Sequence, residues 1–142
     1  MHTLLFLKIT SLTAKVVDYT YGRYVRSKLQ SPQRVCFDEV ILPESTKAAK
    51  KCLFIGVDWY NKYIWKKYDS IYWVTVDPIK KNSQYGASEH YIGGFPLGSI
   101  ELISKHKFDV IYFNGVYGWG LNHLDELKDT FCQLRLLLKN GG

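Results

Sequence analysis

The stretch Lys51–Asp77, KCLFIGVDWYNKYIWKKYDSIYWVTVD, decides the fold class, because it reads as a strand, a helix and a second strand in succession. KCLFIGV is a continuous apolar run, which is typical of a strand buried on both faces of a parallel sheet. DWYNKYIWKKYD then places Tyr60, Ile64 and Tyr68 at helical spacing, and IYWVTVD is a second apolar run. This pattern predicts two parallel strands joined by a right-handed helical crossover.

The alternation of strands and helices continues along the chain. EHYIGG, residues 89–94, reads as a short third strand, and FDVIYFNG, residues 108–115, reads as a fourth. The apolar residues of LGSIELISKHK have helical spacing. HLDELKDTFCQLRLLLKNGG reads as a long amphipathic helix that ends at its two glycines. The alternation predicts an α/β fold with a mostly parallel sheet and flanking helices.

The first fifty residues lack this alternation. We therefore predict two parts: an N-terminal helical and extended segment, 1–50, that packs on the core, and an α/β core, 51–142. Apolar residues between positions 11 and 29 recur at helical intervals, and SPQ then ends that helix. VCFDEVIL, residues 35–42, reads as a short extended segment.

Composition and charge limit the class of protein. At 142 residues the chain suits one domain, and 19 Lys and Arg against 13 Asp and Glu give a net charge of +6. This balance favours weak binding of polyanions such as nucleic acid. The lysine runs KAAKK, WKKYD and IKKN are nevertheless explained more simply by solvated helix and loop faces than by a nucleic-acid stripe. We expect no signal peptide and no membrane span.

Cysteines and histidines supply no metal-binding or catalytic pattern. Cys36, Cys52 and Cys132 share no metal-ligand spacing and are typical of reduced thiols in a cytoplasmic protein. The four histidines are scattered, and none pairs with a Cys or Ser in a recognisable catalytic arrangement. We therefore predict no metal site, and the catalytic residues stay unknown.

In parallel sheets ligands bind beyond the carboxyl ends of the strands, so the residues after each strand are candidates for a site. Asp77 ends the second strand 21 positions after Gly56, which is close to the spacing of a ribose-binding acid in dinucleotide folds. Alternatively, Asp77 is a turn cap, since Asp before Pro commonly opens a turn. The single glycine argues against a dinucleotide or a nucleoside triphosphate and suits a nucleoside ligand without phosphates.

Four segments together resemble the successive motifs of class I S-adenosylmethionine-dependent methyltransferases: CLFIGVDWYNKY, YWVTVDP, FDVIYFNGVYGWGLN and LRLLLKNGG. The resemblance covers residues 51–142 and is most specific in NGVYGWGLN. It implies a Rossmann-like fold, S-adenosylmethionine as the cofactor, and methyl transfer to an acceptor that the sequence does not identify.

The resemblance also implies which residues contact the cofactor. Gly56 would let the methionine portion pass the first strand, and Asp77 would hold the ribose hydroxyls. The other implied contacts surround the adenine, the methionine tail and the sulfonium. They are Pro78, Ile79 and either Tyr91 or Ile92 at the adenine; Trp59 and Tyr60 over the methionine tail; Asn114 and Gly115 below the sulfonium; and Val116 and Trp119 on the substrate side.

Simpler interpretations stay open for several of these residues. Trp59 and Tyr60 also suit packing between a helix and the sheet, and Asn114 suits a turn cap. Trp119 lies between Gly118 and Gly120 in a predicted loop, which is a poor position for a core residue and favours a binding role.

The family fold has seven strands, and this chain ends where the fifth would begin. A Rossmann-like sheet that is incomplete on its C-terminal side leaves the fourth strand, with its apolar VIYF, at an open edge. Three alternatives exist for what pairs with this edge of the fourth strand. It is the N-terminal segment VCFDEVIL, a partner chain or second copy, or further residues of a longer protein of which this chain is a fragment.

Two functions from different classes follow. We expect an S-adenosylmethionine-binding, methyltransferase-like protein whose activity and methyl acceptor are open. The alternative is a non-catalytic interaction module, built on the same scaffold, that binds a protein or RNA partner. An oxidoreductase is disfavoured because the phosphate-binding glycines are missing.

Overall fold

The computed structural model describes residues 31–96, 100–114, 116 and 120–139. The chain divides into two compact units, Met1–Pro43 and Glu44–Gly142. The boundary between the two units falls after Pro43, whereas the sequence predicts an α/β core that starts at Lys51.

Residues 32–46 are helical throughout. Helix α1 spans Pro32–Cys36, a π-helical turn follows at Phe37–Ile41, and helix α2 spans Leu42–Thr46. The extended conformation predicted for residues 35–42 is therefore wrong. The helix predicted between positions 11 and 29 lies outside the described residues.

Local contacts explain why α1 is a helix. Ser31 is its N-cap, and the Ser31 side chain accepts a hydrogen bond of 3.3 Å from the Arg34 amide. Pro32 follows at the start of the helix, where its fixed φ angle suits helical backbone. Arg34 Nε then donates to Asp38 Oδ2 at 2.7 Å across one turn. These contacts join residues that are close in sequence, whereas an extended segment needs a partner strand.

The second unit contains a sheet of four parallel strands. Strand β1 spans Lys51–Ile55, β2 spans Tyr72–Asp77, β3 spans Glu89–Ile92 and β4 spans Val110–Phe113. Their order across the sheet is β3-β2-β1-β4, and every neighbouring pair is parallel. The predicted α/β class, with a parallel sheet and flanking helices, is confirmed.

Helical segments connect the strands. A 3₁₀ helix at Trp59–Asn61 leads into helix α3 at Lys62–Lys67, and a second 3₁₀ helix spans Lys80–Tyr85. Helix α4 spans Ile100–Ser104, and the long helix α5 spans Leu124–Leu137.

The two faces of the sheet carry different cores, as strand alternation requires. One face is mainly aliphatic and includes residues of α4 and α5. Its buried residues are Leu53, Ile55, Val74, Val76, Ile103, Phe108, Leu134 and Leu137. The opposite face is aromatic: the Phe54 ring centroid lies 5.4 Å from that of Trp65 in α3 and 5.6 Å from that of Tyr112.

Strand β4 lies at one end of the described sheet, as the sequence predicted. The chain after α5 returns to the start of this strand, where Phe108 and Leu138 form a parallel bridge. The Phe108 amide donates to the Leu137 carbonyl at 2.8 Å, and the Lys139 amide donates to the Phe108 carbonyl at 2.9 Å. Since residues 35–42 are helical, that segment supplies no strand for this edge; a partner chain at the edge stays a prediction.

No helix in the described ranges is long and apolar enough to cross a membrane.

Candidate functional site at the carboxyl ends of the strands

The chain order reverses between β1 and β4. Strand β1 pairs with β2 on one side and with β4 on the other, and Ile55 lies opposite Phe113 at the carboxyl ends. In open parallel sheets a crevice forms outside the strand ends at such a reversal, and ligands bind there. Gly56 and Asn114 are the first residues beyond the two strands, so they flank this position.

Gly56 is constrained by its backbone and by its neighbours. Its φ angle is +79°, a left-handed conformation that favours glycine. A Cβ atom built on Gly56 would lie 3.2 Å from Val116 Cγ2 and 3.4 Å from the Asn114 carbonyl oxygen. The structure thus brings Gly56, Asn114 and Val116 together, and the Val116 side chain covers the space that the glycine leaves.

Asp77 is buried at the end of β2, with 5% of its surface exposed. Its Oδ2 accepts a 2.9 Å hydrogen bond from the Val57 amide, and its Oδ1 accepts bonds from the Ile79 amide at 2.8 Å and from Asn82 Nδ2 at 3.2 Å. The carboxylate therefore ties together the loops after β1 and β2. The contact with the Ile79 amide is the turn-capping interaction that the sequence offered as the alternative to ribose binding. A carboxylate has about four acceptor positions, so one is left.

Asn82 is a site residue that sequence reasoning missed. It is 9% exposed, and its Nδ2 group also donates to the Val57 carbonyl at 3.0 Å. Asn82 thereby holds the second 3₁₀ helix against the loop that follows Gly56. Its only signal in the sequence is a polar residue after two lysines in IKKN, which is typical of an exposed loop and does not predict burial.

The predicted adenine contacts lie beside Asp77. Pro78, Ile79 and Ile92 are exposed, and Ile92 lies opposite Asp77 in the register of β2 and β3. The Tyr91 hydroxyl instead donates to Glu89, toward the start of β3, so Ile92 is the better placed of the two candidates.

The aromatic pair follows directly after the Gly56 loop. Trp59 and Tyr60 are both half-buried, and their ring centroids lie 5.3 Å apart in an edge-to-face arrangement. This position suits partial packing and leaves ring surface exposed. The two remaining predicted contacts, Gly115 and Trp119, lie outside the described residues.

His90 lies in β3 opposite Thr75 of β2. Its Nδ1 atom is 2.9 Å from Thr75 Oγ1, while its Nε2 atom is buried and has no hydrogen-bond partner among the described residues. Burial lowers the pKa of His90, and the nearby Asp77 charge opposes that shift only in part. Burial of the ring therefore disfavours the protonated imidazole.

A second polar cluster lies at the opposite, amino-terminal edge of the sheet. Lys51 Nζ is 2.5 Å from His106 Nδ1, and His106 Nε2 is 2.9 Å from Glu89 Oε1. The hydroxyls of Tyr72 and Tyr91 also donate to Glu89. Although burial acts to raise it, the hydrogen bonds from both tyrosines and from His106 lower the pKa of Glu89 to about 2. This cluster joins the starts of three strands, and the sequence treated His106 only as a scattered histidine.

Comparison with known proteins found no matching family model, no matching curated protein and no matching solved structure. Within the part of the chain that the structure describes, no group of three His, Cys, Asp or Glu side chains is arranged to hold a metal ion.

Proposed function

We propose that the second unit is a Rossmann-like, methyltransferase-like domain that binds S-adenosylmethionine at the carboxyl ends of β1, β2 and β4. The observation that carries the proposal is the convergence of Gly56, Asn114 and Val116 at the point where the strand order reverses. Asp77 lies beside them at the end of β2, which is where a ribose-binding acid belongs in such folds.

The residues around Gly56 and Asp77 suit the three parts of this cofactor. The methionine portion would cross Gly56, provided that Val116 moves aside. The ribose would bind the remaining acceptor position of Asp77 and replace the 3.2 Å Asn82 contact, which is the longest of the three. The exposed side chains of Ile79 and Ile92 would flank the flat adenine ring.

The bound cofactor would supply an activated methyl group, and the residues of this chain would hold that group in position. Methyl transfer depends mainly on holding the acceptor in line with the sulfonium methyl. We assign no general base and no acceptor.

We also propose the cytoplasm as the location, which the free thiols of Cys36, Cys52 and Cys132 support.

A calorimetric titration of the full chain with S-adenosylhomocysteine tests this proposal. We expect saturable binding that Asp77→Asn weakens at least tenfold. Asp109→Asn is the matched control, because Asp109 also accepts two backbone amides, those of Lys50 and Lys51, but lies at the opposite edge of the sheet. Thermal unfolding of both variants would establish that they are folded. Absence of binding by the folded wild-type chain, or equal losses in the two variants, would contradict the proposal.

A second candidate function is a non-catalytic interaction module on the same scaffold. Two observations favour it, because both concern positions that the cofactor would need. Asp77 already accepts three hydrogen bonds from its own chain, and Val116 covers Gly56. Val116→Ala separates the two functions. If Val116 blocks a cofactor site, this variant binds S-adenosylhomocysteine more tightly than the wild type; if there is no such site, neither protein binds it.

A further inference from the structure

The exposed lysines of the second unit fall into two groups. In one group each lysine pairs with a carboxylate of a neighbouring side chain. These pairs are Lys47 with Glu44 at 2.6 Å, Lys105 with Glu89 at 4.0 Å, Lys128 with Asp125 at 3.5 Å and Lys139 with Asp109 at 2.6 Å. The other group is exposed and forms no ion pair within the described ranges; it comprises Lys50, Lys62, Lys66, Lys67, Lys80, Lys81 and Lys107. Lys67 Nζ lies over the Tyr68 ring, Lys107 Nζ donates to the Leu136 carbonyl, and Lys50 precedes β1. The remaining four, Lys62, Lys66, Lys80 and Lys81, lie on α3 and on the second 3₁₀ helix. We call these four residues the lysine face.

The two halves of the lysine face belong to neighbouring elements. Lys62 and Lys66 lie one turn apart on α3, and Lys80 and Lys81 begin the second 3₁₀ helix. Two hydrogen bonds hold the second 3₁₀ helix, one to the loop after β1 and one to α3. Asn82 Nδ2 donates to the Val57 carbonyl at 3.0 Å near the start, and Trp65 Nε1 donates to the Tyr85 carbonyl at 2.8 Å near the end. The lysines of α3 and those of the second 3₁₀ helix, which are separate in the sequence, therefore belong to segments that contact each other.

Few carboxylates offset this charge. From Val57 to Tyr85 the chain contains three acidic residues, Asp58, Asp69 and Asp77. Asp58 caps the first 3₁₀ helix, where its Oδ1 accepts a hydrogen bond from the Trp59 amide. Asp77 is buried and bound to its own chain, and Asp69 follows the C-terminal end of α3. Unpaired cations grouped in this way create a positive potential that concentrates anions at the surface.

An aromatic side chain lies within the same helix. Tyr63 is 36% exposed and stands between Lys62 and Lys66 in the sequence of α3. Grooves that bind single-stranded nucleic acid combine lysines along the phosphate backbone with aromatic rings on which bases stack. We infer that the lysine face, with Tyr63, binds single-stranded nucleic acid. This inference is independent of the proposed cofactor site.

Fluorescence anisotropy of a labelled oligouridine of roughly a dozen nucleotides, titrated with the full chain, tests the inference. If about four phosphates are contacted, log K falls with log salt at a slope of about −3. Lys62→Gln with Lys66→Gln removes two contacts, which predicts a loss of about 25-fold at about 0.1 M salt and a slope shallower by about 1.4.

Lys47→Gln with Lys128→Gln is the matched control, because it lowers the net charge of +6 by the same two units at lysines that are already paired. We expect this control to retain binding within about twofold of the wild type. We expect Tyr63→Leu to weaken binding by about fivefold or more without changing the salt slope.

Three results would overturn the inference. The first is no binding of the oligouridine even at low salt. The second is an equal loss of affinity in the two double lysine variants, which would mean that only net charge matters. The third is binding to phosphatidylserine vesicles without binding to the oligouridine, which would identify a membrane surface as the partner.

Discussion

At the end of β1, Gly56 has a φ angle of +79° and two close neighbours in Val116 and Asn114. Replacing it with alanine imposes a left-handed conformation on a residue with a Cβ atom and presses that atom against Val116 Cγ2. We expect Gly56→Ala to lower the free energy of unfolding by about 1–2 kcal/mol, measured by urea denaturation.

Gly94→Ala is the matched control for this substitution. A Cβ atom at Gly94 would come no closer than 4.0 Å to its nearest neighbour, Pro78 Cβ, and the backbone there does not have a positive φ. We expect Gly94→Ala to leave the unfolding free energy within about 0.5 kcal/mol of the wild type. Equal effects of the two substitutions would contradict the account of Gly56.

The burial of His90 predicts that the stability of the fold depends on pH. Because burial lowers the pKa of His90 in the folded state, the unfolded chain takes up the proton at a higher pH than the folded chain does. The stabilisation from the neutral imidazole is therefore complete above the ordinary histidine pKa of about 6.5 and is lost as the pH falls below it. We expect the unfolding free energy to decrease between about pH 7.5 and pH 5.5.

His90→Gln should flatten this decrease, because the titrating group is gone. His123→Gln serves as the control, since His123 is exposed and its side chain makes no capping hydrogen bond at α5. A pH dependence that survives in His90→Gln would show that another group causes it.

At Asp77 the sequence predicted a site residue but not its surroundings. Its position after an apolar strand and its distance from Gly56 follow from local patterns. The contact with Asn82 does not, because it depends on how the second 3₁₀ helix lies against the loop after β1. Contacts between loops are set by tertiary packing, which a single sequence does not display.

Among the elements, β1, β2 and β3 are joined at their starts by the cluster around Glu89. The hydrogen bonds from the two tyrosines and from His106, acting against burial, lower the pKa of Glu89 from its ordinary value of 4.5 to about 2. The cluster therefore stabilises the folded state above pH 4.5, and this contribution is lost as the pH falls toward 2.

Glu89→Gln should reduce stability at neutral pH and make the decrease between pH 4.5 and 2 shallower. Glu101→Gln is a suitable control, because Glu101 is exposed in the first turn of α4. Urea denaturation across this pH range gives both quantities. If the two variants show the same pH profile, the Glu89 cluster does not couple the strands.

The elements of the core were easier to predict than those before it. Buried parallel strands are continuous apolar runs, so KCLFIGV and IYWVTVD were recognisable without knowledge of their neighbours. VCFDEVIL has a similar apolar content, but the cap at Ser31 and the pairing of Arg34 with Asp38 favour a helix. Apolar content alone did not distinguish the two structures in this short segment.

At the scale of the whole molecule, the strand order explains why one edge of the sheet is the candidate site. The reversal between β1 and β4 brings Gly56 beside Asn114 although 57 residues separate them in the chain. The sequence predicted a parallel sheet from its alternation, and the resemblance implied that the fourth strand lies at an edge. The described order places β4 at one end of the sheet, while cofactor binding stays a proposal.

The most direct test of the central claim is an amide NMR spectrum of the labelled full chain during titration with S-adenosylhomocysteine. We predict saturable shifts of the Gly56, Ile79 and Gly93 amides at the carboxyl edge. The Glu89 and Phe108 amides, near the amino-terminal edge, should not move. No saturable shift at millimolar ligand, or shifts confined to the amino-terminal edge, would contradict a cofactor site at the reversal of the strand order.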